Sequence, residues 1–246
     1  MIKVEVCAAS LEDCIKAERA GADRIELNQA LHLGGLTPSL GSLIAAKKHT
    51  TIPIITMVRP RAGGFHYSDY DKETMYTDAE LMIDHGASGL VFGFLNEDLT
   101  VDKATTKRFV DLCHRNRVEA IFHRAFDRSA DPHQAVRDLI DCGIDRILTN
   151  GQAASADQGI SLLADLQKHY SDQIAFCVGA GVTAANVVEI IEKTGISDVH
   201  STFKGWFTDP TTASTTVSYR YSEEGDYDGV SVGKLEQFIE KLQDYR

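Results

Sequence analysis

Four times along this 246-residue chain a helical pattern ends in a glycine, and two or three residues later an apolar, strand-like run begins. The copies are Gly21-Ala22-Asp23-Arg24-Ile25, Gly86-Ala87-Ser88-Gly89-Leu90, Gly143-Ile144-Asp145-Arg146-Ile147 and Gly195-Ile196-Ser197-Asp198-Val199. Successive glycines are 65, 57 and 52 residues apart, room for about two strand-helix units each. Further strand-type runs at residues 52–58, 118–123 and 174–178, with the opening run at 3–7, bring the number of expected strands to eight.

Helical patterns separate these runs. Ser10 with Asp13 gives a capping-box-like start to the first, and Thr37-Pro38 reads as an N-cap followed by proline at the first helical position. The others are expected near 71–85, 103–116, 131–142, 157–169, 183–193 and 233–243. Eight strands alternating with eight helices predict a single α/β domain over 1–246, a (β/α)8 barrel of the TIM type, with any site on the loops that follow the strands. A doubly wound open sheet is the competing architecture. Against it, no Gly-x-Gly-x-x-Gly turn follows the first strand and no compositional break marks a second domain.

Thirty-six acidic against 25 basic side chains give a formal charge of −11, which argues against a nucleic-acid or anionic-membrane partner. No apolar run approaches the roughly 18 residues that span a bilayer, and the N-terminus lacks a signal-peptide pattern, so a cytoplasmic protein is expected. Five scattered cysteines without Cys-x-x-Cys spacing read as free thiols, each most simply a small buried hydrophobe.

Three loops after strands are long: 28–36, 59–69 and a polar run at 201–230 that holds the only tryptophan. Alternation in the first strand puts Val4 and Val6 on one face and Glu5 and Cys7 on the other; in the second it opposes Ile25 and Leu27 to Glu26 and Asn28. With the apolar faces against the helices, Glu5, Cys7, Glu26 and Asn28 turn inward. There the carboxylates either bind a cation or share acid-base work, or are neutralised by Arg24, Arg59, Arg61 or Arg124. The fifth strand ends in Phe122-His123-Arg124-Ala125-Phe126-Asp127, with His123 expected inward as base or ligand, Arg124 as an anion clamp and Asp127 orienting either one. A purely structural His-Arg-Asp network is the competing reading. His200 at the end of the eighth strand stands equally as ligand, base or structural residue. Arg59 and Arg61, with the turn Gly179-Ala180-Gly181-Val182-Thr183, are candidates for holding a carboxylate or phosphate; two bland alternatives are arginines paired to Glu5 and Glu26, and a simple tight turn. No nucleophile elbow, P-loop or His-Glu-x-x-His is present.

These residues, taken together, resemble the CutC-type copper homeostasis family almost end to end. The resemblance is carried by Glu5-Val6-Cys7, the run from Ala17 to Leu27, Gly34-Gly35-Leu36-Thr37-Pro38-Ser39, Arg59-Pro60-Arg61, Tyr67-Ser68-Asp69, Gly89-Leu90-Val91-Phe92-Gly93, the His123 segment, and Arg146-Ile147-Leu148-Thr149-Asn150-Gly151. It implies a (β/α)8 barrel, a cytoplasmic homo-oligomer (dimer or tetramer) and a part in copper handling through Cu(I), with Cys7 as a ligand. Asn28 stands where the family often has a second cysteine, and Val178-Gly179-Ala180-Gly181 where it has Pro-Gly-Gly-Gly. Two functions therefore stand side by side: a Cu(I)-binding homeostasis protein, and a TIM-barrel enzyme acting on a small anionic or phosphorylated substrate.

Overall fold

The computed structural model describes residues 1–246 and closes eight parallel strands into a barrel in sequence order. The strands are β1 (Lys3–Ala8), β2 (Arg24–Leu27), β3 (Ile54–Met57), β4 (Gly89–Phe92), β5 (Glu119–Phe122), β6 (Arg146–Thr149), β7 (Ala175–Val178) and β8 (Asp198–Ser201). Around them lie α1 (Leu11–Arg19), α2 (Leu40–His49), α3 (Asp69–Asp84), α4 (Lys103–Arg115), α5 (Pro132–Cys142), α6 (Ile160–Tyr170), α7 (Val187–Thr194) and, after β9 (Lys204–Phe207) and β10 (Tyr227–Val230), α8 (Val232–Lys241). The glycines of the repeat do close their helices: Gly21, Gly86, Gly143 and Gly195 all have positive φ, the left-handed conformation that glycine enters without steric cost.

Outward strand residues such as Val4, Val6, Ile25 and Leu27 join the buried faces of the helices in one 53-residue core. The lumen is divided. On β3, β4 and β5 it is apolar, where Ile55, Met57, Val91 and Ile121 form a separate small cluster. On β1, β2, β6 and β8 it is polar and charged. Barrel closure sets Glu5 beside Arg24 on one side and His200 on the other, and Cys7 beside Glu26.

Three expectations shift. The second helix starts at Leu40 with Ser39 as N-cap, its hydroxyl accepting from Ser42 N. Thr37 is instead spent on β3: its hydroxyl donates to the carbonyl of Arg59 and accepts from the amide of the same residue. The sixth and seventh helices begin at Ile160 and Val187, later than 157 and 183, because turns occupy the intervening residues. The long run after β8 is not irregular throughout: β9 and β10 pair antiparallel at its base. That hairpin is fastened to the barrel by Asp13 of α1, a buried carboxylate accepting from Val230 N at 2.7 Å and Ala9 N at 3.2 Å. No helix is long and apolar enough to cross a membrane.

Candidate functional site

At the C-terminal end of the strands lies a cavity of about 530 Å³, within the range of small-ligand sites. Cys7, Glu26, Asn28, Met57, Arg59, His123, Arg124, Gly181, His200 and Lys204 all contribute to its wall. Another depression of about 580 Å³, on the outside between α4 and α5, is open and lined by Lys103, Lys107 and Arg108, without convergent buried groups.

Two charged layers sit beneath this mouth, and each follows from strand register. In the lower layer Glu5 is surrounded by cations. Its Oε2 accepts from Arg24 Nε and, at 2.8 Å, from Arg146 Nη1, while Oε1 meets His200 Nδ1 at 2.8 Å. Arg24 also reaches Asp198 at 2.8 Å, and Arg146 forms a forked pair with Glu119 at 2.8 and 3.1 Å. Burial alone would raise the pKa of Glu5, but Arg146 and Arg24 hold its carboxyl well below the usual carboxylate range. Both oxygens of Glu5 are engaged and each arginine has a second carboxylate, which makes the cluster a brace inside the barrel.

The upper layer differs. Asn28 Nδ2 donates to Glu26 Oε1 at 2.8 Å and to Cys7 Sγ at 3.3 Å; the thiol lies 3.8 Å from the same carboxylate oxygen. Glu26 Oε2 has no partner although the residue is only 2% exposed. No arginine pairs with Glu26, so burial raises its pKa, with His200 only partly offsetting. Burial, then the Glu26 and Glu5 charges, push the Cys7 thiol well up. His200 moves the other way: burial opposes its charged form, but the Glu26 and Glu5 carboxylates raise it overall.

His123 faces the cavity from the end of β5. Its Nδ1 accepts the amide N–H of Ala125 at 3.1 Å, so the neutral ring carries its proton on Nε2, and that atom is buried without a partner. Burial, with Arg59 adding to it, lowers its pKa from 6.5 to about 3. The imidazole is thus a hydrogen-bond donor at neutral pH, not a cation. Gly93 on the neighbouring loop makes room for it: a Cβ there would come within 2.5 Å of the imidazole. Gly179 does the same for His200, since a side chain would meet Leu148 at 2.9 Å and the His200 ring at 3.3 Å.

The other expected site residues divide. Asp127 orients Arg124, at 2.9 Å, and not His123; its second oxygen binds Thr149 Oγ1 at 2.5 Å and Asn150 N at 3.1 Å, tying the β5 and β6 loops together. Arg124 keeps 45% of its side chain exposed at the rim. Arg59 lines the wall, but its guanidinium clamps the carbonyls of Leu33, Gly34, Gly35 and Gly63. Arg61 points away, to Asp71 at 3.1 Å and the His66 carbonyl at 2.8 Å, and Thr183 turns to Asn186; neither they nor Gly179 line the cavity. The alternative in which Arg59 and Arg61 pair with Glu5 and Glu26 does not hold: Arg24, one of the arginines available from the sequence, and Arg146 take Glu5, and none takes Glu26. Met57, Arg128 and Gln152 were not singled out from the sequence. Met57 falls on the inward register of a strand whose one polar residue, Thr56, lies on the other face, so alternation gave no signal there.

The family model for the CutC family matches residues 2–205. A family protein CutC of Treponema denticola is 41% identical over 98% of this chain and 98% of its own length. The human copper homeostasis protein cutC homolog is 41% identical over 80% of this chain and 71% of its own. The crystal structure of a CutC protein from Streptococcus agalactiae superposes with a TM-score of 0.76 at 29% identity, covering 82% of this chain and 99% of that one.

Proposed function

The chain belongs to the CutC family, and from that membership and the geometry of the mouth we propose a pocket for chemistry on a small anionic substrate. The observation that carries this reading is that four residues lining one cavity each hold a buried, unpartnered polar atom, Asn28 Oδ1 and Arg59 Nε besides the two that matter most here, Glu26 Oε2 and His123 Nε2. Orphaned buried polar atoms are costly, and a ligand that satisfies both recovers that cost. His123 supplies an N–H donor to a substrate oxygen, Glu26 a proton acceptor or cation ligand, and Arg124 and Lys204 at the rim attract the negative charge. Glu5, by contrast, positions His200 and takes no part in the exchange.

Copper, the metal that the family name brings, is tested by the donors present. A Cu(I) ion would find one thiol disfavoured as thiolate by burial and neighbouring carboxylates, one imidazole and one hard carboxylate. At position 28 an amide donates to the sulfur where a second thiol would ligate. Soft monovalent copper selects thiolate and thioether sites; the Met57 thioether also lines the cavity, but one thiol beside an imidazole and a hard carboxylate fits Cu(I) less well than two thiolates. The expected setting remains the cytoplasm, whose reducing poise suits five free buried cysteines. Homo-oligomers remain the expected partners.

Thermal-shift screening with sugar phosphates and small carboxylates tests the reading. A ligand at a hundred times its Kd stabilises by about 2.7 kcal/mol. We expect at least one anion to raise the wild-type melting temperature and to lose most of that effect on Lys204→Ala. A screen in which no anion stabilises the protein overturns the proposal.

A further inference from the structure

We propose that Cys7, Glu26 and His200 form a three-ligand site for a borderline divalent ion of the zinc type, with a fourth position open to the cavity. Each residue offers one donor atom, all three lie within 4.8 Å of one another, and all three residues are buried. Sulfur, carboxylate oxygen and imidazole nitrogen are the ligand types of Zn2+, and three protein ligands with a vacant position mark its reactive sites rather than its structural ones.

The surroundings are arranged as a ligand shell requires. A ligating histidine typically gives its second ring nitrogen to a carboxylate, which fixes its tautomer and orientation. Here Glu5 Oε1 takes His200 Nδ1 at 2.8 Å and leaves Nε2 free. Asn28 plays the same part for the other two ligands, with its amide on Glu26 Oε1 and Cys7 Sγ, so that Glu26 Oε2 is the oxygen left without a partner. Charge also selects the ion. As the S–metal bond forms, the Cys7 proton leaves to solvent, and thiolate plus carboxylate present two negative charges in a buried place. A divalent cation cancels both, whereas a monovalent one leaves a net buried charge. The open position faces the cavity that His123 Nε2 also borders, so a metal-bound substrate oxygen and the imidazole donor act on the same space.

This site goes beyond the anion-pocket reading and is tested without a substrate, so the two fail separately: an anion that stabilises a protein unable to bind the metal leaves the pocket standing and removes the ion. The experiment titrates metal-free protein with Co2+, a spectroscopic stand-in for Zn2+. Wild type is expected to bind one equivalent with a thiolate-to-cobalt charge-transfer band in the near ultraviolet, bleached by Zn2+. Cys7→Ser should lose the band while Cys177→Ser, which removes another buried lumenal thiol, keeps it. Glu26→Gln should weaken Co2+ binding by more than about tenfold. Urea midpoints of the metal-free variants establish that each is folded; if one is not, the remaining pair decides. No band in wild type, a band that survives Cys7→Ser, or one equivalent of Cu(I) taken up where Co2+ and Zn2+ are refused would each overturn the proposal.

Discussion

Two carboxylates, Glu5 and Glu26, enter the same lumen from adjacent strands, both almost wholly buried, and they have opposite fates. Glu5 is met by two arginines and a histidine, and every one of those partners is itself paired. Glu26 has an amide and a thiol on one oxygen and nothing on the other. Burial disfavours both charges equally in kind; what separates them is who stands across the barrel. The lower layer spends its charges on holding strands together, and the upper layer keeps one in reserve for a ligand.

The strongest way to break this contrast is to remove Glu5. Glu5→Gln leaves Arg24 and Arg146 their outer partners, Asp198 and Glu119, but no carboxylate between them, and breaking a buried ion pair from one side costs about 3 to 5 kcal/mol. Urea denaturation should show a loss of that size; a loss below about 1 kcal/mol would mean the brace is not one. The next effect is on acid stability. His123 titrates at about 3 when folded and near 6.5 when unfolded, so between those values the unfolded chain holds a proton that the folded chain does not. Its contribution is therefore undiminished above 6.5 and lost as pH falls toward 3, with a slope approaching about 1.4 kcal/mol per pH unit. A His123→Gln variant should show a flatter acid limb in urea midpoints taken across that window; identical limbs would place the imidazole in solvent. The smallest effect is expected at Glu26. With one oxygen already unpartnered, Glu26→Gln in metal-free protein should change stability by no more than about 1 kcal/mol in either direction, and a loss as large as that of Glu5→Gln would erase the distinction between the layers.

The number of strands, the barrel and the inward turn of Glu5, Cys7 and Glu26 were legible because alternation and the glycine repeat are local signals. Which side chains then meet is not local. Arg146 lies 141 residues from Glu5 and His200 lies 195 away; only closure of β8 onto β1 and the width of the lumen bring them together. From the sequence the loop arginines 59 and 61 stand as anion holders, with the carboxylates as the alternative partners, yet Arg59 donates to backbone carbonyls and Arg61 to Asp71 in their own loops. The hairpin within 201–230 escaped for a related reason: its two strands are four residues each and are separated by nineteen mostly polar residues, so no periodicity survives. The unpartnered state of Glu26 could not be read at all, because it is a property of what is absent from its surroundings.

The contact between Gly93 and the ring of His123 constrains more than the ring. An alanine at 93 overlaps the imidazole, and forcing it into so tight a space carries the cost of overpacking, about 1 to 3 kcal/mol. Removing the imidazole alone does not free the position, because the same Cβ would lie 2.9 Å from that of Ala125. The absent side chain at 93 thus sets where the whole start of the β5 loop can lie, two residues beyond the histidine included.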